Sequence, residues 1–509
     1  MKRGLARIAL GLLAAASAGC MVGPDYHRPA VDVPTRWSEA PQDNVPAPAG
    51  PSRWWTAFDD PELDSLIDRA AAANLDVALA EARIREARAN RTIAAAPLWP
   101  SLTSSGSYTR SLLSENAIGS GSQQGGSTGG STAQQGGSGS GFSVKPMNLY
   151  QLGFDASWEI DVFGGIRRSV EASQASLEAS YFNRDDVLLT LLGDVARNYI
   201  ELRGFQRQLD VARNNLAAQK ETLELTRARY RGGLASDLDV AQAEAQTQTT
   251  ASQIPTLETS YKDAVHSLGV LLGEAPGALA DELAPTQPIP VASAQLPSGL
   301  PSDLLRQRPD IRGAERQLAS ATAQIGVATA DLYPQFSLIG SAGLSSISTS
   351  DFFTSGSKLW SIGPSMTWPI FQGGQIVATI EVRNAQAQQA LITYRQTILT
   401  ALRDVEDAIV AYTQERDRRE ALVAAASSNQ RAVDLATALY TRGLTDFLNV
   451  LTAQQNLFQT QSNLAQSETN VSTDLVALHK ALGGGWEAFP PEPTTSRTAG
   501  GAALPATRG

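Results

Sequence analysis

The chain has 509 residues, a formal net charge of −10 and a single cysteine. The acidic balance leaves no basic face for nucleic acid, and one cysteine excludes a disulfide within the chain. No apolar stretch reaches about 18 residues, which excludes a membrane helix, and aromatics at 6% point to long helices packed through small side chains.

In chain order, Lys2, Arg3 and Arg7 precede the apolar run Ile8–Ala16, and Ser17, Ala18 and Gly19 lead to Cys20. That layout predicts a secretory signal peptide over residues 1–19. Cys20 stands where a bacterial lipobox places its lipidated cysteine, with Ser17 where Leu is usual. A lipidated Cys20 is therefore the expected mature N-terminus, and its acyl chains would hold the protein on a membrane. Met21, rather than Asp, follows it and favours the outer membrane. Residues 20–58 are read as an extended, lipid-anchored segment.

The rest of the chain is written twice. Tyr230, Gly233, Leu234, Leu238 and Val240 align with Tyr440, Gly443, Leu444, Leu448 and Val450. Upstream, Asp76, Ala80 and Glu81 align with Asp310, Ala314 and Glu315, and Pro100 with Pro334. Internal repetition on this scale means two copies of one structural unit, read as residues 59–285 and 286–487, with a disordered tail over 488–509. Each copy has the order helix, strand, strand, long helix, turn, helix. The first copy carries extra chain between Leu102 and Val162, where the Ser/Gly/Gln stretch 114–141 reads as a loop. Long loops of outer-membrane barrels face outward.

The strands are expected around 98–163 and 335–371. Tyr150, Leu152, Phe154, Ala156, Trp158 and Ile160 alternate with Gln151, Gly153, Asp155, Ser157 and Glu159, and the second copy repeats the pattern from Trp360 to Ile370. A half-buried soluble sheet would alternate in the same way. In an exported lipoprotein the pattern fits a sheet with lipid on one side and water on the other. After the strands, residues 375–441 hold neither Pro nor Gly, enough for a helix of about 100 Å. Leu391, Tyr394, Ile398, Leu402, Val405, Ile409 and Tyr412 follow the three-and-four spacing of a coiled-coil seam. Turns at 230–236 and 442–446 end the long helices, and second helices run back from about Leu238 and Leu448.

Four strands cannot close a membrane barrel, since the smallest use about eight, and an open edge in lipid leaves backbone groups unpaired. Several chains must therefore share one barrel. Two copies would leave no open lumen; three or four would leave one.

Gly19 through Pro29, Arg308-Pro309-Asp310-Ile311-Arg312, Leu332-Tyr333-Pro334, Tyr440 through Leu448, and Ala481 through Trp486 together resemble the TolC-like outer membrane efflux proteins, in particular the NodT-type lipoproteins. The resemblance covers almost the whole mature chain and implies a mainly α fold with membrane β structure. In that fold a homotrimer builds a twelve-stranded β-barrel continued by a twelve-helix periplasmic α-barrel. It implies an outer membrane channel of a tripartite efflux system, working with a periplasmic adaptor and an inner-membrane RND-type pump, with no cofactor. Arg231, Gly232, Gly233 and Leu234, with Arg442, Gly443 and Leu444, match the family's adaptor-docking tips. Asp239, Leu448, Asn449 and Thr452 match positions around the periplasmic gate, although the family's Asp residues after the second tip are Asn449 and Thr452 here.

Nothing in the sequence asks for an enzyme. His27, His266 and His479 fall in unrelated contexts without metal-ligand spacing. Gly125 to Gly129 matches a nucleophile elbow only by letter, with no strand before it or helix after it. The charged runs Glu201–Arg203 and Arg416–Arg419 read as solvated helix faces or hairpin salt bridges. The competing function is a lipid-anchored coiled-coil scaffold or adhesin without a pore.

Overall fold

The computed structural model describes residues 21–39, 53–112, 146–292, 302 and 307–490. The signal peptide, Cys20, the 114–141 stretch with its Gly125–Gly129 match, and the tail beyond 490 lie outside the described residues. Eleven longer elements follow one another: α1 (Pro61–Ala73), α2 (Leu75–Ala95), β1 (Ser101–Ser111), β2 (Met147–Ile160), α3 (Gly165–Arg231), α4 (Asp237–Leu271), α5 (Pro309–Ala330), β3 (Gln335–Ser346), β4 (Lys358–Thr367), α6 (Gln375–Thr441) and α7 (Phe447–Leu482). The fold class expected from the sequence, mainly helical with a small sheet, is the one observed.

The chain divides into two compact units, and α2, α3, α5 and α6 contribute residues to both. The first unit holds the sheet, antiparallel throughout, in the order β1-β2-β3-β4. Its register fixes two faces, because side chains alternate along every strand. Tyr108 lies opposite Tyr150, Leu152 opposite Leu344, and Ala342 opposite Trp360. One face therefore carries Tyr108, Leu152, Phe154, Trp158, Leu338, Leu344, Trp360, Ile362 and Met366. The other carries Thr103, Ser105, Ser107, Gln151, Asp155, Glu159, Ser337, Ser341, Ser361 and Ser365.

Both halves of the sheet close the same way at their base. The Trp158 indole donates to the Leu98 carbonyl at 3.1 Å, and the Trp368 indole to the Leu332 carbonyl at 3.1 Å. Trp368 itself is outside the ladder. β4 stops at Thr367 rather than running to residue 371, since Pro369 has no N–H to donate. The segment before His27 is tied to the same unit. Val22 donates its backbone N–H to the Phe163 carbonyl, and the buried Arg168 donates to the Val22 carbonyl and to Asp25, whose carboxyl it holds below the usual range. Gly326 leaves room for that guanidinium: a Cβ there would sit 2.8 Å from Arg168 Cγ.

The second unit is helical, and its largest core gathers Trp54, Trp55, Leu63, Leu66, Ile67, Leu188, Leu192, Tyr199, Leu268 and Leu475. Two tryptophans inside the segment expected to be extended are thus fully buried, on a short 3-10 turn from Trp54 to Phe58. Trp54 stacks on His479 at 5.2 Å, and burial pushes that imidazole down to about 4, so it is neutral at pH 7. The single helix expected at the start of the first copy is two helices. Asn74 separates them: it donates its backbone N–H to the Ala70 carbonyl, and its side-chain oxygen accepts from Asp76 and Val77.

Elsewhere small residues bring the helices together, as the composition suggests. A Cβ on Gly204 would meet Thr469 Oγ1 at 2.3 Å, so α3 and α7 touch there backbone to side chain. The seam on α6 packs inward at Tyr394, Ile398, Val405, Ile409 and Tyr412, while Leu391 and Leu402 are half-buried. The charged run at Glu201–Arg203 is not a solvated face. Arg203 is fully buried and donates to Glu62 at 2.6 Å, to Gln206 and to the Pro285 carbonyl. A buried cation persists where hydrogen bonds and a partner charge replace its water.

Candidate functional sites: two helical tips and a one-sided sheet

Each long helix ends in the same turn. At the first tip Gly233 has φ +70°, Leu234 donates its N–H to the Arg229 carbonyl and Gly233 to the Tyr230 carbonyl. At the second, Gly443 has φ +76°, Leu444 donates to Leu439 and Gly443 to Tyr440. This is the Schellman stop, in which a left-handed residue lets two N–H groups return to the last carbonyls of the helix; glycine takes that conformation without a Cβ clash. All seven residues read as tips, Arg231, Gly232, Gly233, Leu234, Arg442, Gly443 and Leu444, are exposed. Leu234 and Leu444 stand 70% and 69% exposed, the same state at matched positions of the two copies.

The structure brings the two tips together. Arg229 lies over the Tyr440 ring at 4.5 Å and donates to the Thr441 carbonyl at 3.2 Å. Beneath them Leu223, Ala243, Tyr440, Phe447, Val450 and Leu451 form a small apolar cluster. Sequence reading missed Arg229, Tyr440 and Phe447 as tip residues. The repeat alignment even equates Tyr440 with Tyr230, yet Tyr440 is 4% exposed and Tyr230 46%.

The residues read as the gate fall into two groups. Leu448, Asn449 and Thr452 are exposed near the start of α7, with Asn449 Nδ2 donating to Thr445 Oγ1 at 2.7 Å. Asp239 belongs to the first turn of α4, where its carboxylate accepts from the Ser236 N–H at 2.8 Å and its own N–H donates to Ser236 Oγ. That reciprocal pair is a capping box. Among the described residues no hydrogen bond or ion pair joins Asp239 to Leu448, Asn449 or Thr452.

The sheet is the second candidate. A sheet that exposes Trp360, Ile362, Met366, Leu152 and Phe154 on one face, and mainly hydroxyls and carboxylates on the other, with Ile339 and Leu359 among them, fits a boundary between an apolar medium and a wet one. The outer edges of β1 and β4 pair with no other strand among the described residues. No described helix is long and apolar enough to cross a membrane.

Comparison with known proteins gives the family. A family model for outer membrane efflux proteins matches residues 66–274 and 300–484. Nodulation protein T of Rhizobium leguminosarum bv. trifolii is 34% identical over 442 residues, spanning 86% of this chain and 89% of that protein. The pyoverdine export outer membrane protein OpmQ of Pseudomonas aeruginosa is 34% identical over 451 residues, spanning 86% of this chain and 88% of its own length. The solved structure of the outer-membrane channel OprN superposes with a TM-score of 0.82 at 34% identity, covering 92% of this chain and 100% of that one. With the family model spanning both copies of the repeat, the chain belongs to the outer membrane efflux protein family.

Proposed function

We propose that the protein is the outer membrane channel of a tripartite efflux system, one chain of a homotrimer that conducts small molecules passively from the periplasm or an inner-membrane RND-type pump to the exterior. The reading rests above all on the sheet: apolar on one face, polar on the other, with both edges unpaired. In lipid an unpaired strand edge costs several kcal/mol per buried group, so such a sheet is stable only inside a closed ring. Three copies bring twelve strands, enough for an open lumen, and the polar face of each copy would line it. Cys20 would carry the lipid that anchors the chain, one residue before the Met21 that packs on Gly164.

A periplasmic adaptor would dock on the two tips, through Arg231, Gly232, Gly233 and Leu234 and through Arg442, Gly443 and Leu444. The exposed leucines support this reading, because they offer apolar anchors on rigid, glycine-stopped turns. Leu448, Asn449 and Thr452 would narrow the same mouth when the channel is idle. With Asn449 in the place of an acid, that closure is hydrogen-bonded or apolar rather than charged. Asp239 contributes to it by fixing the first turn of α4. Transport of this kind breaks no covalent bond, and we read the protein as a non-enzyme.

Single-channel recording in a planar bilayer tests the proposal. The purified protein should give discrete, ohmic conductance steps, and Gly443→Asp should abolish efflux in cells while leaving those steps intact. No current from folded protein would favour a poreless lipid-anchored scaffold instead.

A further inference from the structure

On the apolar face of the sheet all strand positions but two are uncharged. The exceptions are Arg110 and Lys358: Arg110 lies opposite Asn148, in line with Tyr150 and Leu152, and Lys358 lies opposite Leu344, which itself faces Leu152. The strand carboxylates, Asp155 and Glu159, are on the other face and cannot reach them. Both basic residues are exposed, and neither has an ion-pair or hydrogen-bond partner among the described residues. Both also sit at the same end of the sheet. Arg110 is the last residue but one of β1 and Lys358 the first of β4, at the ends that lead to the β1–β2 and β3–β4 connections.

These two strands are the two open edges of the sheet. Closing the ring proposed above sets β4 of one copy beside β1 of the next, and rotation about the membrane normal brings their loop ends to one height. Adjacent strands lie about 4.8 Å apart. Lys358 of one copy and Arg110 of its neighbour would then point side by side into the lipid headgroup layer, two like charges with no acid between them. Aromatic side chains flank the pair on the same face: Tyr108, its ring tilted against that of Tyr150 at 4.9 Å, and the exposed Trp360 two residues from Lys358. Aromatic girdles of this kind mark the boundary between hydrocarbon and headgroups.

We infer that each seam between copies binds a phosphate-bearing lipid of the outer leaflet, with Arg110 and Lys358 holding the phosphate and Tyr108 and Trp360 packing against the headgroup. Guanidinium and ammonium groups are the natural partners of a phosphate, and a shared anion turns the repulsion at the seam into a bridge. The inference depends on the ring proposed above.

Native mass spectrometry counts subunits and bound lipids in one spectrum. The detergent-solubilised full chain would be mixed with bis-phosphorylated lipid A, with the same lipid after removal of its phosphates, or with the former plus excess inorganic phosphate. Three-subunit ions should retain up to three phosphorylated lipids and far fewer dephosphorylated ones, without displacement by inorganic phosphate. Each basic residue near a charged headgroup is worth about fivefold, so Arg110→Gln with Lys358→Gln should weaken retention about twenty-fivefold. The charge-keeping pair Arg110→Lys with Lys358→Arg should retain most of it. Trimers that hold both lipids equally, or a double variant that holds lipid like the parent, would overturn the inference and leave the ring standing. Displacement by inorganic phosphate would make it a free-anion site and overturn the lipid assignment. Monomeric ions alone would remove the seam and overturn both.

Discussion

The two helical tips follow the same backbone path and are held by different chemistry. At the first, Ser236 and Asp239 exchange hydrogen bonds in a capping box, and Arg227 bridges Glu224 at 2.7 Å and Glu244 at 2.6 Å. At the second, Asp446 and Asn449 occupy the equivalent positions, Asp446 makes no capping bond, and Asn449 turns to Thr445. In place of the box, Phe447 packs on Tyr440 at 5.7 Å inside the small apolar cluster. Duplicated sequence therefore preserved the stop signal, a glycine with positive φ, while the first turn of the returning helix diverged. A cap depends on a single rotamer, whereas a buried aromatic cluster couples several residues on four helices. The second tip is the one whose integrity depends on its neighbours.

Substitutions at matched positions can break that contrast. Phe447→Ala should have the largest effect, about 3–5 kcal/mol, as a large-to-small change in a buried cluster. Amide exchange across residues 436–452 should speed up sharply; unchanged protection would show that the cluster does not hold the tip. Gly233→Ala and Gly443→Ala should each cost about 1–2 kcal/mol in thermal unfolding, because both force a Cβ into left-handed backbone. Clearly unequal losses would mean the two turns are not equivalent. Ser236→Ala should cost about 1 kcal/mol through the lost cap, and Asp446→Ala less than about 0.5 kcal/mol. Equal costs would remove the asymmetry. The smallest effect is a gain: Asp446→Ser with Asn449→Asp writes a capping box into the second tip and should stabilise it by less than about 1 kcal/mol.

Much of this architecture is legible in the sequence, because it is carried by period and punctuation. The alternation from Tyr150 to Ile160 is the two-faced strand, the Pro- and Gly-free run 375–441 is α6 residue for residue, and Gly233 and Gly443 stop the helices. What escaped is decided by partners distant in the chain. Nothing local separates Tyr230 from Tyr440, whose opposite fates depend on Arg229 and Leu223 across the bundle. Trp54 and Trp55 follow a Pro-rich stretch that reads as extended, and only the pocket formed by Leu188, Leu192 and His479 makes them core. Arg203 looks solvated until Glu62 and the Pro285 carbonyl arrive. Asp239 carries two readings: the S-x-x-D spacing from Ser236 is a cap signature, and the resemblance made it a gate residue. Its geometry is that of the cap.

The account stands on the claim that β4 of one copy pairs with β1 of the next. Ser104 and Met366 lie on the same face of the sheet at opposite edges, with β2 and β3 between them. Three strand spacings, about 14 Å, put them beyond the reach of a disulfide within one chain. Ser104→Cys would be combined in turn with Trp360→Cys, Ile362→Cys or Met366→Cys, oxidised in native membranes and run on a denaturing, non-reducing gel. Covalent dimers and trimers from at least one pair, absent from every single substitution, are the predicted result. Monomer bands alone from all three pairs would contradict the shared ring.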